Sequence, residues 1–135
     1  MTQHIATVGA IYEAFGKGDI PFILSCLAED VEWDNREHHG IPLLVPRKGR
    51  AEVGLFFQEL MNVEMQSFSV EKLYDGGSSV LAWTNVTGKW KPSGRVFHDP
   101  FEFHLWEFNA EGKVSRFLHL VDTHAMWLAT VAPGG

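Results

Sequence analysis

A glutamate, two histidines and a tryptophan are the side chains whose types and spacing best suit chemistry on a small molecule. Strict alternation over 95–108 predicts a strand that places Glu102, His104 and Trp106 on one face. The turn residues at 109–112 then predict a hairpin that returns His119 to the same face. An imidazole titrates near neutrality and can give or take a proton, so the pattern predicts an acid–base site.

The register of this hairpin decides how the two histidines meet. If Phe108 and Lys113 close it, His104 lies opposite Phe117 and diagonal to His119. Diagonal neighbours on a sheet are about 7–8 Å apart, so one small ligand could touch both rings. The alternative is that each histidine is buried and satisfied by a neighbouring group.

Two aspartates at strand ends are candidates to complete this chemistry. Asp34 ends a short predicted strand over 31–34, and Asp122 follows the last strand. In the catalytic hypothesis His104 polarises a substrate carbonyl, while His119, Asp34 or Asp122 moves the proton. Asp122 also suits the N-cap of a closing helix, which is the alternative interpretation.

Large side chains on strands and helix faces are predicted to form the wall of a ligand pocket. Aromatic groups supply much of the area that holds an apolar ligand, although they are also typical of an ordinary core. The alternation around Trp83 leaves open whether it points inwards. The predicted ligand-binding residues are Tyr12, Trp33, Phe57, Met61, Trp83, Glu102, Trp106, Phe117 and Val121.

Neither a metal nor another cofactor is expected. His98 and His104 lie about 20 Å apart along one strand and cannot share an ion. His104, His119 and Glu102 could approach one ion, but their spacing matches no standard metal motif. Cys26 falls in an apolar helical stripe, where a thiol acts as a small hydrophobe rather than a nucleophile.

The elements that must position these residues are predicted to be helices first and strands afterwards. Helical spacing gives way to period-two alternation near the middle of the chain. This order predicts an α+β fold with helices packed on a mainly antiparallel sheet, in one domain over 1–135. The predicted helices are 5–15, 20–27, 50–61 and a short one at 125–128, and the strands are 31–34, 68–74, 80–90, 95–108 and 113–121.

The second face of strand 95–108 is nearly purely apolar. It carries Phe97, Asp99, Phe101, Phe103 and Leu105. In one interpretation the mixed His and Glu face lines a cavity roofed by helices, and the apolar face meets a second subunit. In the other, the apolar face forms the core and the histidines face solvent. Periodicity does not choose between the two.

Composition disfavours several classes of partner. The 135 residues carry 17 Asp and Glu against 11 Lys and Arg, a net charge of −6. Such a chain has no electrostatic basis for binding nucleic acid or an anionic membrane. No signal peptide is recognised, and no stretch approaches the roughly 18 apolar residues of a membrane span. A single cysteine suits a reducing compartment, so we expect a cytoplasmic protein.

Five motifs follow one another along nearly the whole chain: AFGKGD at 14–19, LAEDVEW at 27–33, GRAEV at 49–53, FHLWEF at 103–108 and VDT at 121–123. In this order they resemble the nuclear transport factor 2-like superfamily, and more narrowly its SnoaL-like, ketosteroid-isomerase-related branch. The resemblance implies a cone-shaped α+β barrel, in which a curved sheet wraps around three N-terminal helices and an apolar pocket. It also favours the mixed face as pocket wall and implies a homodimer through the outer sheet face.

The catalytic groups of ketosteroid isomerase are not kept in this register. That enzyme pairs an Asp base with an oxyanion hole of tyrosine and protonated aspartic acid. The resemblance puts the tyrosine position at Ile11, next to Tyr12, and the base position at Asn35, next to Asp34. The protonated-acid position falls on His104. A shift of one residue would restore Asp34, but the resemblance as it stands implies a different reaction.

Three functions are consistent with these observations. The first is a cofactor-independent acid–base enzyme, of isomerase, cyclase or hydratase type, acting on a small, largely apolar carbonyl or aromatic compound in an internal pocket. The second is a module that binds a small hydrophobic ligand without changing it. The third is a dimeric structural or interaction domain whose own side chains fill the pocket. A fold by itself does not choose among them.

Overall fold

Local sequence signals begin and end the helices largely where they were predicted. Gly18, with φ of 73°, terminates the first helix in the left-handed region that glycine tolerates. Asp19 then caps the second helix, because its carboxylate accepts a hydrogen bond from the backbone nitrogen of Phe22, and Pro21 lies in the first turn. The caps therefore fix where α1 stops and α2 starts.

The computed structural model describes residues 2–133. The helices are α1 (Thr2–Lys17), α2 (Ile20–Ser25), α3 (Gly49–Leu60) and α4 (Thr123–Thr130), with a 3₁₀ turn at Pro42–Leu44. The strands are β1 (Leu27–Trp33), β2 (Arg47–Lys48), β3 (Val63–Asp75), β4 (Ser79–Trp90), β5 (Arg95–Phe108) and β6 (Val114–Leu120). Within this range no helix is both long and apolar enough to cross a membrane.

The six strands form one sheet in the order β2-β1-β6-β5-β4-β3. β1 runs parallel to β6, and the other neighbouring pairs are antiparallel. Helices contribute Val8, Ile11 and Val53 to a core that also contains Val31 and Val80 of the sheet. The predicted α+β architecture, with N-terminal helices on a mainly antiparallel sheet and a short C-terminal helix, is confirmed.

A bulge in β5 changes which side chains of that strand face inwards. Thr84 pairs with Glu102 but Val86 pairs with Asp99, so β5 has one residue more than β4 between these pairs. An extra residue reverses the alternation of every side chain beyond it. Phe97 and Asp99 are therefore buried, and the prediction that they share the outer face with Phe101 is wrong.

A second bulge changes the pairing of the two histidines. Glu107 pairs with Arg116 and Phe108 with Val114, which inserts one residue into β6. The hairpin also closes with Phe108 opposite Val114 rather than opposite Lys113, so the register moves by two residues in all and His104 lies directly opposite His119 rather than opposite Phe117. Their ring centroids are 5.0 Å apart with the planes at 90°. The predicted diagonal arrangement is wrong, and the true one brings the rings closer together.

Candidate active site

A cavity of about 80 Å³ lies between the inner face of the sheet and the helices. Its walls are almost entirely apolar, and its ionisable groups come from β5 and β6, with the hydroxyl of Tyr12 beside them. The predicted site residues in its wall are Tyr12, Trp33, Phe57, Glu102, His104, Trp106, Phe117 and His119. The mixed face of the sheet thus faces the cavity.

Part of the wall comes from segments that were not predicted to reach it. Leu43 and Leu44 line the cavity from the 3₁₀ turn, in a segment for which neither a helix nor a strand was predicted. Phe97 reaches it because of the bulge in β5, and Met126 reaches it from α4. Pro100 marks that bulge in the sequence, since proline inside a sheet occurs at edges and bulges.

Three predicted wall residues lie elsewhere. Met61 follows the end of α3 and is 73 % exposed. Trp83 lies on the outer face, where it stacks on Phe101 and donates from Nε1 to the carbonyl of Pro100 at 2.8 Å. Val121 follows β6 and packs on the core without lining the cavity.

Asp122 takes the alternative role that the sequence left open. Its carboxylate caps α4 by accepting from the backbone nitrogen of Ala125 at 3.0 Å, and the residue is exposed. It does not line the cavity. The structure therefore does not bring Asp122 to the histidines.

Asp34 and His119 form one hydrogen-bonded unit. Asp34 has φ of 55°, a left-handed conformation that aspartate tolerates better than most residues, and its backbone nitrogen donates to the carbonyl of Phe117 at 2.9 Å. Its carboxylate accepts from the backbone nitrogen and from Nδ1 of His119, each at 2.7 Å. The ring therefore carries a proton on Nδ1, and Nε2 has no hydrogen-bond partner within residues 2–133.

Four further groups form a chain in which each proton has a defined direction. The indole nitrogen of Trp106 can only donate, and it donates to the hydroxyl of Tyr12 at 3.0 Å. That hydroxyl then donates to Nδ1 of His104 at 2.6 Å. Nε2 of His104 donates to the carboxylate of Glu102 at 2.7 Å. Both nitrogens of His104 are thus engaged, and the other oxygen of Glu102 has no hydrogen-bond partner within residues 2–133.

Burial keeps two members of this chain neutral. It raises the pKa of Tyr12 well above its ordinary value, despite the hydrogen bond from Trp106. Burial also lowers the pKa of His104, and this outweighs the opposing effect of Glu102. At neutral pH the pair is therefore a phenol and a neutral imidazole, which agrees with the direction of the hydrogen bonds.

The surroundings of the other two ionisable groups shift their pKa values towards the charged forms. Burial alone would raise the pKa of Glu102, but the hydrogen bond from His104, with the charge of His119 beyond, brings it below the ordinary value. Burial alone would lower the pKa of His119, but the charge and hydrogen bond of Asp34, with Glu102 beyond, raise it. The site therefore favours a carboxylate at Glu102 and an imidazolium at His119.

These two groups are close enough to act on one ligand. One oxygen of Glu102 and one ring nitrogen from each histidine all lie within 4.8 Å of one another. Environments that push two pKa values apart define an acid and a base. The arrangement can remove a proton at one atom of a ligand and deliver one a few ångströms away.

The same three side chains could in principle hold a cation. Two imidazoles and a glutamate are a ligand set that zinc accepts. Nε2 of His104 would then have to exchange its hydrogen bond to Glu102 for a metal bond. Asp34 already orients His119 in the way that a carboxylate accepting a hydrogen bond from a metal-bound histidine orients that histidine.

Tyr12 and Asp34, each one residue away from a catalytic position that the resemblance to ketosteroid isomerase implies, both take part in the site. The hydroxyl of Tyr12 meets His104, although the resemblance places Ile11 at the tyrosine position. Asp34 is buried and reaches the site through His119 rather than by facing the cavity. A tyrosine and an aspartate are therefore present, but with histidine partners.

Fold and site together describe a small α+β domain with buried ionisable groups at one wall of an apolar cavity. The chain belongs to the SnoaL-like domain family, whose sequence profile matches residues 8–117. The expected relationship to the nuclear transport factor 2-like superfamily is confirmed. No curated protein is a significant match.

Solved structures share this fold along nearly the whole chain. A nuclear transport factor 2-like protein of unknown function from Burkholderia pseudomallei has a TM-score of 0.82 at 24% identity, over 98% of this chain and 100% of that one. A putative SnoaL-like polyketide cyclase from a Jannaschia species has a TM-score of 0.75 at 20% identity, over 98% and 94%. A Mycobacterium tuberculosis protein in complex with estradiol-17β-hemisuccinate has a TM-score of 0.72 at 12% identity, over 91% and 96%. At these identities the likeness is one of fold.

Proposed function

We propose that this protein is a cofactor-independent acid–base enzyme acting on a small, largely apolar carbonyl or aromatic compound in the inner cavity. The observation that carries the proposal is the pairing of Glu102 and His119. They lie at one wall of an otherwise apolar cavity and favour opposite protonation states. Isomerisation, cyclisation and hydration all require one proton removed and one delivered at nearby atoms.

Each polar group has a separate role in this proposal. The free oxygen of Glu102 removes the proton, and Nε2 of His119 delivers one. Asp34 fixes the tautomer of His119 and supports its charge. His104 has both nitrogens engaged, so it positions Glu102 instead of polarising the substrate, with Tyr12 and Trp106 behind it. This changes the role expected for His104 from the sequence.

The names of similar proteins are compatible with this ligand class. One is a putative polyketide cyclase, and another is in complex with estradiol-17β-hemisuccinate. Both point to cyclic, largely apolar compounds. A low-dielectric cavity also strengthens the electrostatic effect of its few charged groups.

Hydrogen exchange with solvent tests the proposal without a known substrate. Cyclic and aromatic ketones would be incubated with the protein in deuterated water, and label in recovered ligand measured by mass spectrometry. Glu102→Gln and His119→Gln should each slow exchange by about 10²–10⁴-fold. His98→Gln is the matched control, because His98 is exposed and bonds Thr87.

Two results would contradict the proposal. A ketone that binds but is recovered unlabelled after long incubation favours a binding module. Exchange that disappears when a chelator is added means that the Glu102, His104 and His119 cluster works through a metal ion. Exchange that persists with chelator and fails in both variants supports metal-free acid–base chemistry.

We also propose that the outer sheet face pairs two copies of the chain. Phe101 is 62 % exposed there and stacks on Trp83, which lies beside Phe103. Leu120 of β6 pairs with Phe103 and is 37 % exposed. A contiguous aromatic and aliphatic surface of this kind is typical of a subunit interface.

A further inference from the structure

A second space adjoins the cavity. This outer groove, of about 520 Å³, is formed by the end of α1, the start of α2, α3 and the start of β3. Five side chains border both spaces and form a collar between them: Phe15, Phe57, Leu60, Val63 and Met65. The two spaces are therefore separated by single side chains.

We propose that the outer groove binds the distal part of the same ligand whose reacting part occupies the cavity. This inference rests on the proposed function and adds a substrate class: an elongated molecule with a compact reactive end and an uncharged apolar extension. The size of the cavity supports this division. An apolar cavity of about 150 Å³ takes one benzene, and the space beside Glu102 and His119 is about 80 Å³.

The lining of the groove defines the chemistry of the extension. Ile20 and Met61 supply apolar surface, and Gln58 is the single polar side chain among the described residues that line it. The lining carries no charged side chain within residues 2–133. An alkyl chain or second ring suits such a surface, whereas a carboxylate or phosphate would lose its hydration without a partner.

Met61 and Gly54 suit a groove that binds the apolar extension of a ligand, for different reasons. The side chain of Met61 is exposed at the groove, and an unbranched thioether adapts its shape to varied apolar ligands. Gly54 lies inside α3, where glycine is less favourable than alanine. A Cβ at Gly54 would meet no atom within 4 Å, so a side chain placed there would extend into open space beside the groove.

A ligand series measures whether the groove is used. The probes are straight-chain methyl ketones from 2-butanone to 2-decanone, whose acetyl end is smaller than a benzene ring, with affinity measured by calorimetry. If the chain enters the groove, each buried methylene should tighten binding by about fourfold until the groove is full. In Gly54→Leu this gain should disappear while the affinity for 2-butanone, the shortest ketone of the series, stays unchanged.

Gly9→Leu is the matched control. Gly9 also lies within a helix, and a Cβ added there would meet no atom within 4 Å, but Gly9 does not line the groove. It should retain the wild-type dependence on chain length. Thermal unfolding of both variants confirms that they are folded.

Three outcomes would overturn the inference. The first is an affinity that does not depend on the length of the alkyl chain in the wild type. The second is a length dependence of affinity that stays unchanged in Gly54→Leu, and the third is the absence of binding at any chain length. If the length dependence of affinity stays unchanged in Gly54→Leu and the variant has a lower oligomeric mass than the wild type, the groove is instead the binding surface for a second copy of the chain. Solvent exchange without a chain-length effect would leave the proposed function standing, and a chain-length effect without exchange would contradict only the chemistry.

Discussion

Asp34 holds His119 at two points, one carboxylate oxygen lying 2.7 Å from the backbone nitrogen and the other 2.7 Å from Nδ1. The contact joins the end of β1 to the end of β6, which lie side by side in the sheet. Because Nδ1 is occupied, Nε2 is the nitrogen left for a ligand. The proposed acid is thus built by strand pairing rather than by a local motif.

The charge of Asp34 should set the alkaline limit of activity. It helps to raise the pKa of His119 above the ordinary value of 6.5, and the proposed acid works when protonated. Activity should therefore decline as pH rises through this elevated pKa. Asp34→Asn removes the charge but leaves the burial, so the decline should begin at lower pH. The measurement is the pH dependence of deuterium exchange.

Asp122→Asn is the control for this prediction, since Asp122 is exposed and caps α4. Its alkaline limb should coincide with that of the wild type. If the decline in exchange at high pH occurs at the same pH in Asp34→Asn as in the wild type, His119 is not the acid.

The two histidines should affect stability with opposite pH dependence. The pKa of His104 is lowered in the fold, so its contribution is present above about 6.5 and is lost as pH falls through the folded value. The pKa of His119 is raised, so its contribution is present below about 6.5 and is lost as pH rises through the folded value. Urea unfolding at pH 5 and pH 8 should find His104→Gln less costly at pH 5 and His119→Gln more costly there. Equal costs at both pH values would show that the histidines are not perturbed in these directions.

Removing the hydroxyl of Tyr12 should interrupt the series of hydrogen bonds that leads to Glu102 and lower the stability of the protein. Tyr12→Phe leaves Nε1 of Trp106 without an acceptor and Nδ1 of His104 without a donor. Buried groups left unpaired cost about 1–3 kcal/mol, and urea unfolding should show a loss of that size. Tyr74→Phe is the control, because Tyr74 is exposed. Equal stability of both variants would argue that water replaces the Tyr12 hydroxyl.

A charge on the outer face should separate the proposed dimer. Phe101→Glu places a carboxylate in the middle of the apolar surface, where burial without a partner is costly. Light scattering should find the wild type at twice the chain mass and the variant at the chain mass. Leu55→Glu, at an exposed position on α3, should leave the mass unchanged. A wild type that is monomeric at all concentrations would contradict the interface.

Several parts of the fold follow from short stretches of sequence. Asp19 caps α2, and the glycine-containing turn at 109–112 joins β5 to β6 as predicted, because these signals act over a few residues. Met61 shows the limit of such reasoning. It follows the last turn of α3, where the helical stripe no longer decides which way a side chain points.

The sequence by itself determined the order of helices and strands, the family, and the presence of Glu102, His104 and His119 on one inner face. The order of the elements and the shared face follow from local periodicity and turn chemistry, whereas the family and the inward direction of that face follow from the resemblance carried by the five motifs. The tertiary structure decided how the groups meet. A one-residue bulge in β5 reverses the alternation and moves Phe97 inwards. A bulge in β6, together with a hairpin that closes at Phe108 and Val114, places His104 opposite His119. The partnership of Asp34 with His119 spans 85 residues and arises from the pairing of β1 with β6, which no local pattern encodes.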